Sequence, residues 1–501
     1  MGSIDLKKYD SISRFTWSSD NPSHQFDVHN PATGEVITTV QGGGVEQVQQ
    51  AVDLAQKAYQ NDWRWRSPRD RSILLLRAAD NLEAHFEELS HLLCLENGKP
   101  ISQAKEGDIP FVINIFRYFA SLVDKLPHEL YDQGALYSHI QREPYGVVAG
   151  IIPFNWPPIH VGGKSAPALA MGNTIIIKPG EQAPLTALRI VELVAEVLPY
   201  GVIQAVPAIG IDVPQALVTH PNVRKVSFTG STRAGAAVSK LAADSITPLS
   251  LELGGKNCLI VFEDADMDLA VRNIIDGGYF NQGEACTASS RVLAQRTVHD
   301  TLVAKLSKAV KRLVVGDGAN EATHVGPLVT KVHQQKVLEY LEIGIKEGAK
   351  IEAQAALPTD PKLANGYYVQ PTLFTNVTRD MRIAKEEIFG PVVTVNVFDT
   401  YEEAISIANE PEYGLVAAVF SRDHEKCLRT AREVDVGMFF VNNYSRSVLG
   451  SPFGGAKHSG YGREHTIETL HEYSRPKSIR IPSGIGKVPG WGKLDELVAE
   501  L

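Results

Sequence analysis

An α/β architecture of two doubly wound domains with an appended β-strand arm is the fold class this 501-residue chain predicts, and three observations carry it. Short Val/Ile-rich runs alternate with stretches whose apolar residues recur at helical spacing, and the alternation occurs twice. Runs that are apolar throughout suit strands buried on both faces, as in parallel sheets covered by helices. Two further segments alternate apolar and polar residues and fit neither set. Length agrees, because single cores stop growing beyond roughly 250–300 residues.

The first alternation lies between about residues 147 and 262: "GVVAGIIPF", "NTIIIKP", "GVIQAVPA", "RKVSFTG", "SLELGG" and "NCLIVFE". The connecting "PLTALRIVELVAEVL" has helical periodicity, and "VEQVQQAVDLAQKAYQ" and the run from Pro68 to Leu93 read as amphipathic helices flanking the same sheet. Residues 1–127 and 146–256 are therefore assigned to one domain. The second alternation, from about 264 to 440, includes "SRVLAQ", "TLVAKLSKAVKRL", "PVVTVNVF" and "LVAAVFS", and residues 257–458 form the second domain. "LYSHIQREPYGV" and "YSRPKSIRIP" read as exposed strands, which soluble proteins usually cover with a partner. Residues 128–145 and 470–501 are assigned to an oligomerisation arm.

The net charge of −9, from 49 basic and 58 acidic residues, argues against a nucleic-acid or anionic-membrane surface. Cys94, Cys258, Cys286 and Cys427 show no short pairings, so neither a disulfide framework nor a metal site is expected. The first residues carry no apolar signal core, no run approaches the roughly 20 apolar residues of a membrane helix, and a cytoplasmic location is expected.

Several short stretches place chemistry-bearing residues in unusual company. In "YFNQGEACTASSR", Cys286 is either a small packing residue or a nucleophile, and a nucleophile needs a partner that activates it. Glu252, in the otherwise apolar "PLSLELGGKN", is either a structural ion pair or a carboxylate whose pKa is raised for general-base work. Asn155 in "GIIPFNWPP" follows a strand end, where a side-chain amide can donate to an oxyanion or simply serve a turn. "SFTGSTRAG" offers Gly230 and Ser231 at a helix start, a place for phosphate or an ordinary cap, but its spacing is not that of the dinucleotide fingerprint. Lys178 and Glu181 in "IIIKPGEQ" end a strand and either bind a ribose or face solvent. Glycine-dense "KEEIFGPVV" and "SPFGGAKHSGYGRE" suggest close backbone approach.

Together, "PFNWP", "KPGEQ", "FTGST", "LELGGKN", "NQGEAC", "EEIFGP" and "PFGGAKHSGYGRE" closely resemble the aldehyde dehydrogenase superfamily, in order over nearly the whole chain. The resemblance implies that residues 1–127 and 146–256 bind NAD, that 257–458 form the catalytic domain, and that the arm joins subunits into a homodimer or homotetramer. It implies that Cys286 attacks the aldehyde, that Asn155 stabilises the oxyanion, and that Glu252 activates the water that hydrolyses the resulting thioester. Lys178 and Glu181 would hold the adenosine ribose, Gly230 and Ser231 would lie beside the pyrophosphate, and Glu387 and Phe389 would meet the nicotinamide ribose and ring. An acidic Glu181 favours NAD, while Arg233 softens that preference and keeps NADP open. Glu464 resembles a family carboxylate that relays protons or orders the site.

Departures from the family pattern bear on substrate. Trp156 stands where a phenylalanine is common, and Gly163 stands where some relatives that prefer small aldehydes carry a bulky aromatic. With Phe453 they suggest a wide apolar pocket for an aromatic or other bulky aldehyde, whereas Arg446 would favour an anionic semialdehyde if it faced the pocket. An aliphatic or anionic semialdehyde and a non-catalytic protein on the same fold are the rival readings. Glu252 opposes a CoA-acylating enzyme, and its presence beside Cys286 and Asn155 opposes a retired site.

Overall fold

The computed structural model describes residues 21–499 except Ser445 and Arg446, and the side chain of Asp495 is also not described. Three sheets organise it. The first has six strands in the order Gly460–Tyr461, Leu249–Glu252, Val223–Thr229, Val147–Ile151, Thr174–Lys178 and Ile203–Ala205. Its pairings are parallel except for Gly460–Tyr461, which runs antiparallel to Leu249–Glu252. Side chains that alternate across a strand explain why these runs are apolar throughout. Ile175 and Ile177 enter one core with the helices Pro157–Ala170 and Leu185–Ala195, while Ile176 enters a second core with the helix Val45–Asn61.

The second sheet has seven strands, with Cys258–Val261 between Arg291–Gln295 and Val416–Phe420. It is parallel except for the edge strand Lys350–Gln354, antiparallel to Thr372–Thr375. Leu259 and Val261 face one core and Cys258 and Ile260 another, so this sheet too is covered on both faces. These are the two doubly wound units that the alternating runs predicted.

The third sheet is antiparallel: Ser474–Pro482 pairs with Leu136–Pro144, which pairs with Glu129–Asp132. Past Pro482 the chain leaves it, and a short helix follows at Leu494–Val498. The segment after residue 458 also returns to the first sheet before reaching the arm, a crossing that apolar periodicity did not indicate. Cys94, Cys258 and Cys427 are buried, whereas Cys286 is half-buried. No helix among the described residues is long and apolar enough to cross a membrane.

Candidate active site

Glu252 and Lys178 end strands of the first sheet, and Asn155 and Gly230 follow strand ends, so all four lie at its carboxyl edge. That edge is where open parallel sheets build ligand sites. Residues 253–257 then lead straight into the second sheet, whose strands Arg291–Gln295 and Val392–Phe398 are preceded by Cys286 and by Glu387 and Phe389. The candidate site therefore sits where the two sheets face each other.

Local backbone geometry sets the cysteine loop. The helix Met267–Tyr279 runs into a turn in which Asn281, Gln282 and Gly283 have φ of 52°, 57° and 71°. Left-handed backbone is costly for a side chain as long as Gln, so surrounding contacts must hold it. The Asn281 amide donates to the carbonyls of Asn155 (3.1 Å) and Glu284 (3.0 Å), and a Cβ at Gly283 would collide with the Gly390 carbonyl. Asn257 donates to the carbonyls of Cys286 (2.7 Å) and Ala288 (2.9 Å), and its own oxygen accepts from Val416 N–H at 3.0 Å. A Cβ at Gly255 would stand 2.8 Å from the Cys286 carbonyl oxygen, which accounts for the second glycine of "LELGGKN". Asn155 donates from Nδ2 to the Glu284 carbonyl at 3.0 Å, two residues before the cysteine.

Cys286 opens on a cavity of about 310 Å³ walled by Trp156, Phe111, Phe280 and Phe453. Trp156 and Phe453 therefore share this cavity with Cys286. Gly163 does not line this cavity. It lies behind Glu464 and His465, which do, and a Cβ on it would come within 3.4 Å of Glu464 Oε2 and His465 Nε2. That is ordinary contact distance, so a small side chain at 163 would touch those two residues without displacing them. Arg446 lies outside the described residues.

The electrostatics divide the carboxylates. Burial pushes Glu252 well above the usual carboxylate range, the negative charge of Glu464 adds to this, and Lys164 and Arg463 oppose it. One Glu252 oxygen, Oε2, has no hydrogen-bond partner. Burial acts upward on Glu464 too, but Lys164, 2.8 Å away, and the imidazoles of His465 and His160 hold it down at about 2. Two carboxyl groups pushed apart in this way suit one neutral and one charged role. Burial, then Glu252 and Glu387, push the Cys286 thiol up, so the resting side chain is a thiol. Lys164, His160 and His465 were not singled out from the sequence. A lysine inside the otherwise apolar and small "VGGKSAPALA" was the available signal, since a fully buried lysine needs a partner.

The remaining residues line a second group of contacts. Lys178 and Glu181 pair with each other at 2.9 Å. Ser231 caps the helix Thr232–Ala243 by accepting from Ala234 N–H, and Gly230 donates to the Glu252 carbonyl at 3.0 Å. Glu387 accepts from Gly255 N–H at 3.1 Å, with burial raising it to about 7. Phe389, at φ 61°, packs edge-on against Phe154 and His333.

On this α/β scaffold a half-buried thiol stands at an aromatic cavity beside a carboxyl group raised by burial, the residue types that covalent catalysis uses. Comparison with known proteins supplies the family: the aldehyde dehydrogenase family model matches residues 17–479. The aldehyde dehydrogenase citD of Monascus ruber is 53% identical over 487 residues, covering 97% of each chain. The betaine aldehyde dehydrogenase of Bacillus subtilis (strain 168) is 39% identical, covering 92% of this chain and 95% of that protein. Among solved structures, betaine aldehyde dehydrogenase from Staphylococcus aureus in complex with NAD+ superposes with a TM-score of 0.93 at 37% identity, covering 97% of both chains. The chain belongs to the aldehyde dehydrogenase family and is an oxidoreductase of that family.

Proposed function

We propose that this enzyme oxidises an aromatic or other bulky aldehyde to its carboxylic acid, with NAD, through a covalent intermediate on Cys286. The observation that carries the reading is that Cys286 lines a cavity together with Trp156, Phe111, Phe280 and Phe453. Aromatic walls suit an aromatic ring through offset and edge-on contacts.

In this reading Cys286 Sγ forms a bond to the aldehyde carbon and its proton leaves to a base. Asn155, pinned through one N–H to the Glu284 carbonyl, donates its other N–H to the developing oxyanion. NAD fits the chain's second group of contacts. Glu387 offers a carboxylate to a ribose, the Ser231-capped helix start offers N–H groups to a pyrophosphate, and Lys178 with Glu181 offers a charged pair to the other ribose. When bound, its nicotinamide supplies the hydride acceptor. Glu252 then deprotonates the water that cleaves the thioester on Cys286, a role its raised pKa and free oxygen suit. Solved relatives from Staphylococcus aureus and the protein PnpE were crystallised with NAD, which supports the cofactor assignment.

Initial rates of NADH formation across acetaldehyde, hexanal, benzaldehyde, a carboxylated aldehyde and betaine aldehyde test the substrate class. Benzaldehyde is expected to lead in kcat/KM, with NAD preferred to NADP because the Glu181 carboxylate repels a 2′-phosphate. Leadership by hexanal or by a charged aldehyde removes the aromatic reading.

The arm supports a homo-oligomer. Both outer strands of the third sheet are edges, and Leu130 and Tyr131 on one of them are 64% and 52% exposed. Such an edge is normally covered. Light scattering after size exclusion is expected to give the mass of a dimer or tetramer, and a monomer would end this assignment.

A further inference from the structure

Where the arm meets the first domain, a cavity of about 440 Å³ gathers four arginines, Arg64, Arg69, Arg71 and Arg142, with His128 beside them. The one acid among its described lining residues, Asp124, is already paired with Lys125 at 2.9 Å. None of the four arginines is in an ion pair among the described residues. Pro144 and Met171, which also line the cavity, precede the strands Val147–Ile151 and Thr174–Lys178. The cavity therefore lies at the amino edge of the first sheet, opposite the edge that carries Asn155, Lys178 and Glu252.

Two of the arginines are built into the fold. Arg71, on the helix Pro68–Ala84, is 9% exposed; its Nε donates to the Ala170 carbonyl at 2.8 Å and its Nη1 to that of Arg66. Arg142, half-buried on the arm strand Leu136–Pro144, donates from Nε to Ser474 Oγ at 2.8 Å and from Nη2 to the carbonyls of His471 and Ser474. All of these acceptors are neutral. Each guanidinium is thus fixed in place with its charge uncompensated, and Arg71 Nη2 and Arg142 Nη1 have no hydrogen-bond partner among the described residues.

Burial lowers the pKa of both groups, that of Arg71 to about 10, against the pull of Asp70 on Arg71 and of Tyr145 and Glu129 on Arg142. Both therefore stay charged at neutral pH. An arginine is seldom buried without a counter-ion, because desolvating a charge is costly. Exposed Arg64 lies over the rings of Tyr59 and Trp65, at 5.0 and 4.4 Å, which steadies its side chain without a carboxylate.

The planar fork of arginine matches the paired oxygens of phosphate and carboxylate, and several forks on one cavity suit an anion of more than one charge. The volume is that of a small-molecule pocket. We propose that this cavity binds a small multivalent anion bearing phosphate or carboxylate groups, at a site separate from those for aldehyde and dinucleotide. Bound there, the anion ties the arm strand to the helix Pro68–Ala84. The proposal stands apart from the substrate reading above.

Isothermal titration of the full-length, NAD-saturated enzyme with pyrophosphate and with citrate at low ionic strength tests it, NAD being present to fill the dinucleotide site. Saturable binding of at least one of the two is expected, weakening as NaCl is raised, and the tighter one assigns the occupant to the phosphate or the carboxylate class. The double variant Arg64→Gln/Arg69→Gln, at two exposed positions, is expected to weaken binding by about tenfold or more. Lys308→Gln/Arg312→Gln removes the same charge from other exposed positions and is expected to leave it within about twofold. Unchanged melting temperatures without ligand show that both variants are folded. No saturable binding to the NAD-saturated enzyme overturns the proposal, as does binding that both variants weaken alike or that neither weakens. Light scattering in which Arg64→Gln/Arg69→Gln falls to a smaller mass than the wild type also overturns it, because the arginines then serve a contact between subunits.

Discussion

Replacing Cys286 with Ala is expected to lower kcat for aldehyde oxidation by roughly 10⁴-fold or more while NAD binding persists. The loop that carries the residue is held through backbone carbonyls, by Asn257 at Cys286 and Ala288 and by Tyr444 at Thr287, so the side chain can be truncated without releasing it. The position of the loop therefore does not depend on the thiol, whose proposed part is in reactivity. Steady-state NADH formation, an NAD titration and a thermal melt on the same preparation separate the two contributions. Turnover that survives in a folded, NAD-binding variant removes Cys286 as the nucleophile.

Changing Glu252 to Gln is expected to slow thioester hydrolysis by about 10²-fold or more and to leave hydride transfer less affected. NADH then appears as one burst per site followed by a slow steady rate. The amide is close in shape to the carboxyl group, and burial already disfavours the charged form of Glu252, so the exchange should spare the fold. The pH dependence gives a second check. A general base works only when deprotonated, and Glu252 titrates above the usual carboxylate range, so the wild-type hydrolysis rate rises with pH through that elevated pKa. The variant loses this rise. An unaltered steady rate with no burst would sink the assignment of Glu252 as base.

How much of the site was legible depended on whether its residues lie close together in the chain. "LELGGKN" and "NQGEAC" each carry a chemistry-bearing side chain and the glycines or amides that place it, so they stand out as short stretches. The glycines had physical reasons that a stretch alone does not reveal: Gly255 clears the Cys286 carbonyl, and Gly283 clears Gly390. Gly163 shows the opposite case. Its small size was legible, but its neighbours were not, because Glu464 and His465 arrive from 301 and 302 positions further along (464 − 163, 465 − 163). The Lys164–Glu464 pair was missed for the same reason.

Local pattern was enough for the α/β class and for the two covered sheets, because a strand buried on both faces must be apolar at every position and a covering helix apolar at every third or fourth. Long-range packing alone decided which carboxyl group is neutral and which charged. Glu252 and Glu464 differ through burial near a single lysine, and that lysine lies on a helix distant in sequence from both. The same packing put His160 and His465 on one cavity wall. Desolvation and Coulomb interaction depend on distances in space, and those distances exist only once the two sheets have come together.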